Sequence, residues 1–356
     1  MAPRAAFVSF RFGMTDGVSV VARTWMDAFE HLGFEVLTVT GEPGSHRVVP
    51  GLGIDATDPG HAELVAAVDA ALADVDLVVV ENLLTIPLNL PASRAVAEVL
   101  RGRPALLHHH DPPWHRERFA HITELPARDP AWRHVSINRL LREQLGERGI
   151  DSTVIYNAFA NPGRTSDARR RELRSEVRRS IGIAANARVV AHPVRAIERK
   201  NVPAAVAIAE ELGATYWLLG PAEEGYGPEL ERVLATASCP VVHEPWGDVE
   251  GIYAAADHIT FPSTWEGFGN PPIEAALHRR TVSVGDYPVA HELRALGFDW
   301  FDPTDVDSIR AAIEDPSSDG VRSMLDRNEK VAGEHFSLGR MRTSVHRVLD
   351  EAGWLP

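Results

Sequence analysis

At 356 residues, 44% of them hydrophobic and 24% charged, the chain has the composition of an ordinary globular protein and the length of two domains, which argues against disorder and against a single small core. A formal net charge of −14 argues against general nucleic-acid binding and against a polybasic membrane anchor, and no stretch reads as a transmembrane segment. A lone cysteine, Cys239, excludes an internal disulfide, so the cytoplasm is the expected location.

In chain order, the first apolar run, Ala5 to Ser9, is a strand too short for the core of a signal peptide, and a helical pattern from Val18 to Leu32 follows a loop. That loop lacks G-x-G-x-x-G, which disfavours a hydride-transferring dinucleotide site. The pattern then predicts a strand at Glu35 to Thr40, a helix at Leu64 to Leu72, a strand at Val75 to Val80 with the apolar run of a buried parallel strand, and a helix at Ala92 to Leu100. The next strand, from Pro104 to Leu107, ends in His108-His109-His110-Asp111. Alternation puts His108 and His110 on one side and His109 on the other. An active-site histidine, a metal site of His108, His110 and His115, and structural hydrogen bonding are three readings of this cluster. Asp111 is placed to orient His110 or to bind an acceptor. Strands at Trp132 to Ser136 and Val154 to Asn157, with a helix at Asn138 to Gly146 between them, complete this half. The turn Asn157 to Gly163 marks a domain boundary near residue 160.

The arginine-rich run from Arg164 to Arg179 reads as a solvated helix of paired charges. Strands at Arg188 to Ala191, Thr215 to Leu219, Val241 to His243, His258 to Phe261 and Val282 to Val284 then alternate with helices at 203–212, 228–236, 249–255, 272–278 and 290–296, which predicts a second doubly wound parallel sheet. Arg195 and Lys200 follow a strand, at the sheet end where open α/β folds bind ligands, and two cations there can neutralise a leaving diphosphate without a metal. Trp246 stacks on a ligand or packs, with packing favoured. The stretch Trp265 to Glu274 is a loop feeding a helix. Gly267 and Gly269 allow a tight turn, Pro271 and Pro272 suit a first helical turn, and the N–H groups beyond Gly269 and Asn270 suit a phosphate. Glu266 and Glu274 flank that position and can accept hydrogen bonds from hydroxyls at both ends of one ligand. Phosphates in the middle and hydroxyls at either end describe a nucleotide-sugar.

These ten residues resemble the retaining glycosyltransferases of family 4, whose GT-B fold has two Rossmann-like, doubly wound domains facing across a cleft and whose Glu-x7-Glu motif stands in the setting EGFG-x-P-x-x-E, matched here from Glu266 to Glu274. The resemblance implies that Glu266 contacts the donor sugar and Glu274 the ribose, that Arg195 and Lys200 form the diphosphate clamp, with Arg199 off-pattern, that His110 lies near the transferred sugar, and that the backbone at Gly17 approaches the donor phosphate. It further implies domains at 1–160 and 161–336, a final helix within 337–356 that crosses back to the first domain, and an acceptor pocket built from Phe10 to Asp16 and Pro112 to Glu124. The expected activity is metal-independent, cofactor-free, retaining transfer of a hexose from a nucleotide-diphosphate sugar to a carbohydrate or small-molecule hydroxyl. The His-rich and Trp-rich loops incline the donor to GDP-mannose over UDP-glucose. A nucleotide-sugar epimerase of the same fold and a sugar-nucleotide-binding protein without turnover are the alternatives. Phosphorylase chemistry on a lysine-bound pyridoxal phosphate would have only Lys200 and Lys330 to use, and the first has the better role above.

Overall fold

The structure, a computed structural model, describes residues 2–13 and 17–356. Met14, Thr15 and Asp16, part of the first expected acceptor loop, lie outside the described residues. The chain divides into two units, Met1–Ala158 with Leu338–Pro356, and Phe159–Ser337.

The first unit runs β1 (Arg4–Val8), α1 (Gly17–His31), β2 (Glu35–Thr40), β3 (Arg47–Val48), α2 (His61–Ala71), β4 (Leu77–Glu81), α3 (Leu90–Leu100), β5 (Ala105–His109), β6 (Trp132–Ser136), α4 (Arg139–Gly146) and β7 (Thr153–Val154). Among the described residues its sheet is seven-stranded in the order β3-β2-β1-β4-β5-β6-β7, with every pairing parallel. Both faces are covered, so both parities of each strand are apolar. Ala6, Val8, Val78, Val80, Ala105 and Leu107 pack against Leu64 and Val68 of α2 and Ala92 and Val96 of α3. The opposite parity, Ala5, Phe7, Leu77, Val79 and Leu106, packs against Val21, Trp25 and Phe29 of α1 and against Met341, Val345 and Leu349 near the chain end.

The second unit runs α5 (Asp167–Ser180), β8 (Val189–His192), α6 (Val202–Glu211), β9 (Thr215–Leu218), α7 (Gly227–Thr236), β10 (Val241–His243), α8 (Val249–Ala255), β11 (His258–Phe261), α9 (Asn270–Leu277), β12 (Val282–Val284), α10 (Pro288–Ala295), α11 (Val306–Glu314) and α12 (Asp319–His335). Its described strands form a parallel sheet in the order β10-β9-β8-β11-β12. The strand order reverses between β8 and β11, the switch point at which such sheets open a crevice at their carboxyl ends. The last helix, α13 (Leu338–Glu351), belongs to the first unit and packs on α1.

Two doubly wound parallel sheets are therefore present, and the expected fold class holds. The strand read as Val75 to Val80 instead begins at Leu77 and reaches Glu81, and β3, α11 and α12 had no counterpart in the sequence reading. The arginine-rich helix is not simply solvated. Ser166 caps α5, while Arg174 and the fully buried Arg178 turn inward, donating to the Ala255 carbonyl at the end of α8 and to Asp257. Arginines at a helix C-terminus satisfy its last carbonyls and its dipole, which is why this face of α5 is structural.

Candidate active site

In the second unit three loops meet at the carboxyl end of the sheet. The loop after β8 is stitched to the loop after β9 by hydrogen bonds from Gly220 N to Val194 O (3.0 Å), Ala196 N to Pro221 O (2.8 Å) and Glu223 N to Ala196 O (3.0 Å). Gly220 is required there, because a methyl group on it would sit 2.3 Å from the Val194 carbonyl oxygen. On its other side the loop is tied to the one after β11 by Thr264 N donating to Arg199 O (2.9 Å) and by the Asn201 amide donating to Pro262 O (3.3 Å). Glu198–Lys200 form a single 3-10 turn, and Asn201 follows it in the left-handed conformation (φ 54°) while its side chain caps α6.

This turn delivers two cations to one carboxylate. Lys200 Nζ lies 2.5 Å from Glu266 Oε1 and Arg199 Nη1 lies 2.7 Å from Glu266 Oε2. Lys200 and Glu266 are both buried, and the ammonium also stands 4.8 Å above the Phe261 ring. Burial opposes ionisation of Glu266, but Lys200 and Arg199 outweigh it and hold the carboxyl below the ordinary range; burial likewise lowers the Lys200 ammonium against the pull of Glu266. Arg195 does not join this group. Its Nη1 donates to Glu223 Oε2 at 2.5 Å, half-exposed on the neighbouring loop. The expected Arg195–Lys200 pair is thus split between two carboxylates, and Arg199, set aside on spacing, takes the place beside Lys200.

Beyond Glu266 the chain reaches α9. Gly269, its N-cap, has φ 105° and contributes no side chain to the helix start, and Pro271 and Pro272 occupy the first turn. A methyl group at Gly269 would stand 3.0 Å from the hydroxyl of Tyr287, a buried group with no hydrogen-bond partner among the described residues. Tyr287 is a neighbour of this helix start that no spacing in the sequence indicated. Glu274, one turn into α9, accepts a hydrogen bond from the Tyr253 hydroxyl (2.9 Å); burial raises its pKa, opposed by that bond. The carboxyl ends of β9 and β10 are joined by the His243 ring donating to Gly220 O (2.8 Å). Trp246 packs on α8, where a methyl group at Gly251 would lie 2.6 Å from its Nε1.

In the first unit the histidine cluster divides as alternation requires. His109 lies with Thr85 (2.7 Å) and His134 (2.9 Å), and burial lowers both imidazoles, His134 to about 4. His108 and His110 share the other face, their ring centres 4.3 Å apart, and both reach Glu81 of β4. Glu81 Oε2 accepts from His108 Nδ1 and from His110 Nε2, each at 3.0 Å. Burial works against the charge on Glu81, but the two imidazoles hold its carboxyl below the ordinary range, while burial lowers His108 against the attraction of Glu81. Asn82, with φ 60°, accepts from the backbone N–H of His110 (3.2 Å) and of Asp111 (3.0 Å), and its amide reaches Asp111 Oδ2 at 3.4 Å. Asp111 is therefore held by Asn82, and the ring of His110 is oriented by Glu81. His115 instead bonds Gln144 (2.7 Å), so the three-histidine metal reading is not assembled. The donor atoms of Glu81, His108 and His110 lie within 4.8 Å of one another, close enough to hold a metal ion, yet the carboxylate already accepts from both rings. Gly17 opens α1, and a methyl group there would meet open space. A groove of about 770 Å³ lies apart from these residues, between α3 and the β5–β6 connection, where two 3-10 turns stand in place of a crossover helix.

No family model matches the chain. It is 24% identical to the mannosylglucosylglycerate synthase of Thermotoga maritima, over 97% of this chain and 99% of that one, and 24% identical to the enzyme of the same name from Petrotoga mobilis, over 82% and 84%. Among solved structures, Anabaena HepE in complex with UDP-glucose superposes with a TM-score of 0.72 at 21% identity, covering 98% of this chain and 99% of that one. The chain has the GT-B fold, and the relatives and neighbours that share it are glycosyltransferases of GT-B type.

Proposed function

We propose that the chain is a retaining glycosyltransferase of family 4 type that moves a hexose from a nucleotide-diphosphate sugar to a hydroxyl of a carbohydrate or small-molecule acceptor. The observation that carries this reading is the Lys200–Glu266–Arg199 group beside the glycine-capped start of α9: two cations, a carboxylate and a helix N-terminus at the switch point of a parallel sheet. In the proposal Lys200, Arg195 and the Gly269-Asn270 backbone stabilise the leaving diphosphate, so no metal is needed, while Glu266 orients the sugar. Glu274 holds the ribose, Gly17 and Asp111 line the substrate, and His110 stands at the reaction centre. The names of the Thermotoga and Petrotoga relatives favour mannose as the transferred sugar, and the ligand of HepE favours UDP-glucose as the rival donor. Incubation with GDP-mannose or UDP-glucose and a panel of hydroxyl acceptors, read by NMR of the anomeric proton, tests the reading. Release of the nucleoside diphosphate with retained configuration in the product supports it. A second sugar nucleotide formed without acceptor would make the protein an epimerase, and inversion would remove the retaining assignment.

A further inference from the structure

Glu81 is fully buried, and among the described residues the hydrogen-bonding partners of its carboxylate are two imidazoles, with no arginine or lysine among them. The pairing follows from register: Glu81 of β4 stands opposite His108 of β5, and the pleat turns both toward α1, where Trp25 stacks on the His108 ring at 4.1 Å. His110, two residues on, falls on the same face. An ionised carboxylate only accepts hydrogen bonds, so the nitrogens that face it, His108 Nδ1 and His110 Nε2, both carry hydrogen. In a neutral ring, that contact fixes the tautomer. The next residue, Asn82, is held in the left-handed region and accepts from the N–H groups of His110 and Asp111, so one dipeptide fixes both the backbone and the ring of His110.

We infer that Glu81 is a positioning residue for His110, holding its ring as the Nε2–H form and leaving Nδ1 as the nitrogen available to substrate. The inference rests on the placement of His110 at the reaction centre proposed above. A histidine whose second nitrogen is held by a carboxylate has a fixed orientation and a more basic free nitrogen; where such a histidine ligates a metal, loss of the partner commonly costs on the order of 10- to 100-fold, and a similar loss of activity is expected here.

The test is ring-nitrogen NMR of the full-length protein without substrate, with His110 assigned by comparison with His110→Ala, together with kinetics of Glu81→Gln and Glu81→Asp. Wild type is expected to show His110 as Nε2–H, and Glu81→Gln to shift it toward the other tautomer. Turnover in Glu81→Gln is expected to fall about 10- to 100-fold with donor KM changed little, and to recover in part in Glu81→Asp. An Nδ1–H form in the wild type overturns the inference without any variant, so a Glu81→Gln protein that fails to fold does not shelter it. Unchanged turnover and tautomer in a folded Glu81→Gln also overturn it. If His110→Ala turns over normally, it is the placement of His110 at the reaction centre that fails.

Discussion

Lys200 and Glu266, separated by 66 positions in the chain, meet at 2.5 Å as a buried ion pair whose second cation is Arg199. The pair exists because a single 3-10 turn projects Arg199 and Lys200 toward a loop that the backbone of Arg199 itself holds through Thr264. Burying a charge is costly unless it is paired, so each member depends on the other.

Lys200→Met is expected to destabilise the protein by about 3 kcal/mol, the low end for breaking a buried pair, because Arg199 still faces the carboxylate. Combining it with Glu266→Gln should recover most of the loss. Urea denaturation of the three variants measures this, and additive losses would show that the two residues are not coupled.

The pH dependence of stability should carry the signature of Glu266. Its carboxyl is held below its unfolded value, near 4.5, so its contribution is complete above that pH and is lost as pH falls through the lower folded value. Glu266→Gln should flatten the acid limb of the stability curve. An unchanged limb would mean that the carboxylate is not stabilised in the fold.

Glu274 has the opposite sign. Burial raises its folded pKa, so ionisation penalises the fold increasingly as pH rises above the unfolded value, and Glu274→Gln should raise the melting temperature at neutral pH. The same position is proposed to hold the ribose, so Glu274→Ala should weaken free-nucleotide binding by about 1.5–3 kcal/mol while Glu266→Ala leaves it nearly intact. Equal losses in calorimetry would end this division of labour.

Gly269→Ala should cost about 1–3 kcal/mol of stability, since it forces a side chain into φ 105° and within 3.0 Å of the Tyr287 hydroxyl. Nucleoside-diphosphate affinity should fall with it, because the helix start is displaced. Thermal melts with and without GDP or UDP check both effects.

Donor turnover should persist in EDTA, with Lys200 and its neighbouring arginines supplying the charge that a divalent ion would otherwise bring. Loss of activity on chelation, restored by manganese or magnesium, would contradict this and turn attention to Glu81, His108 and His110 as the ligand set.

The two sheets were legible because strand-length apolar runs alternate with helical patterns. β3 was not, since two residues at a sheet edge carry no period. α11 and α12 bury narrow stripes, Val306, Ile309 and Ala312 in one and Val321, Met324 and Val331 in the other, in otherwise charged sequence that reads as surface. At the site, the loop before α9 could be read from its glycines, prolines and glutamates. Glu81 could not, because at the end of an apolar strand it looks like a solvated terminator, and only the register with β5 reveals its partners. Nor could spacing show that Arg199 and Lys200 share Glu266: adjacent residues in a 3-10 turn can meet one carboxylate, and the turn is visible only in the fold.

The claim that the cluster around Lys200 and Glu266 is a nucleotide-sugar site is tested most directly by calorimetric titration of GDP-mannose, UDP-glucose and their free diphosphates into wild type and a folded Lys200→Met. Wild type is expected to bind at least one sugar nucleotide, and the variant to lose about 1.5–3 kcal/mol of that affinity, the value of a charge-assisted hydrogen bond. Equal affinity in the two proteins, or no binding of any of these ligands to wild type, would contradict it.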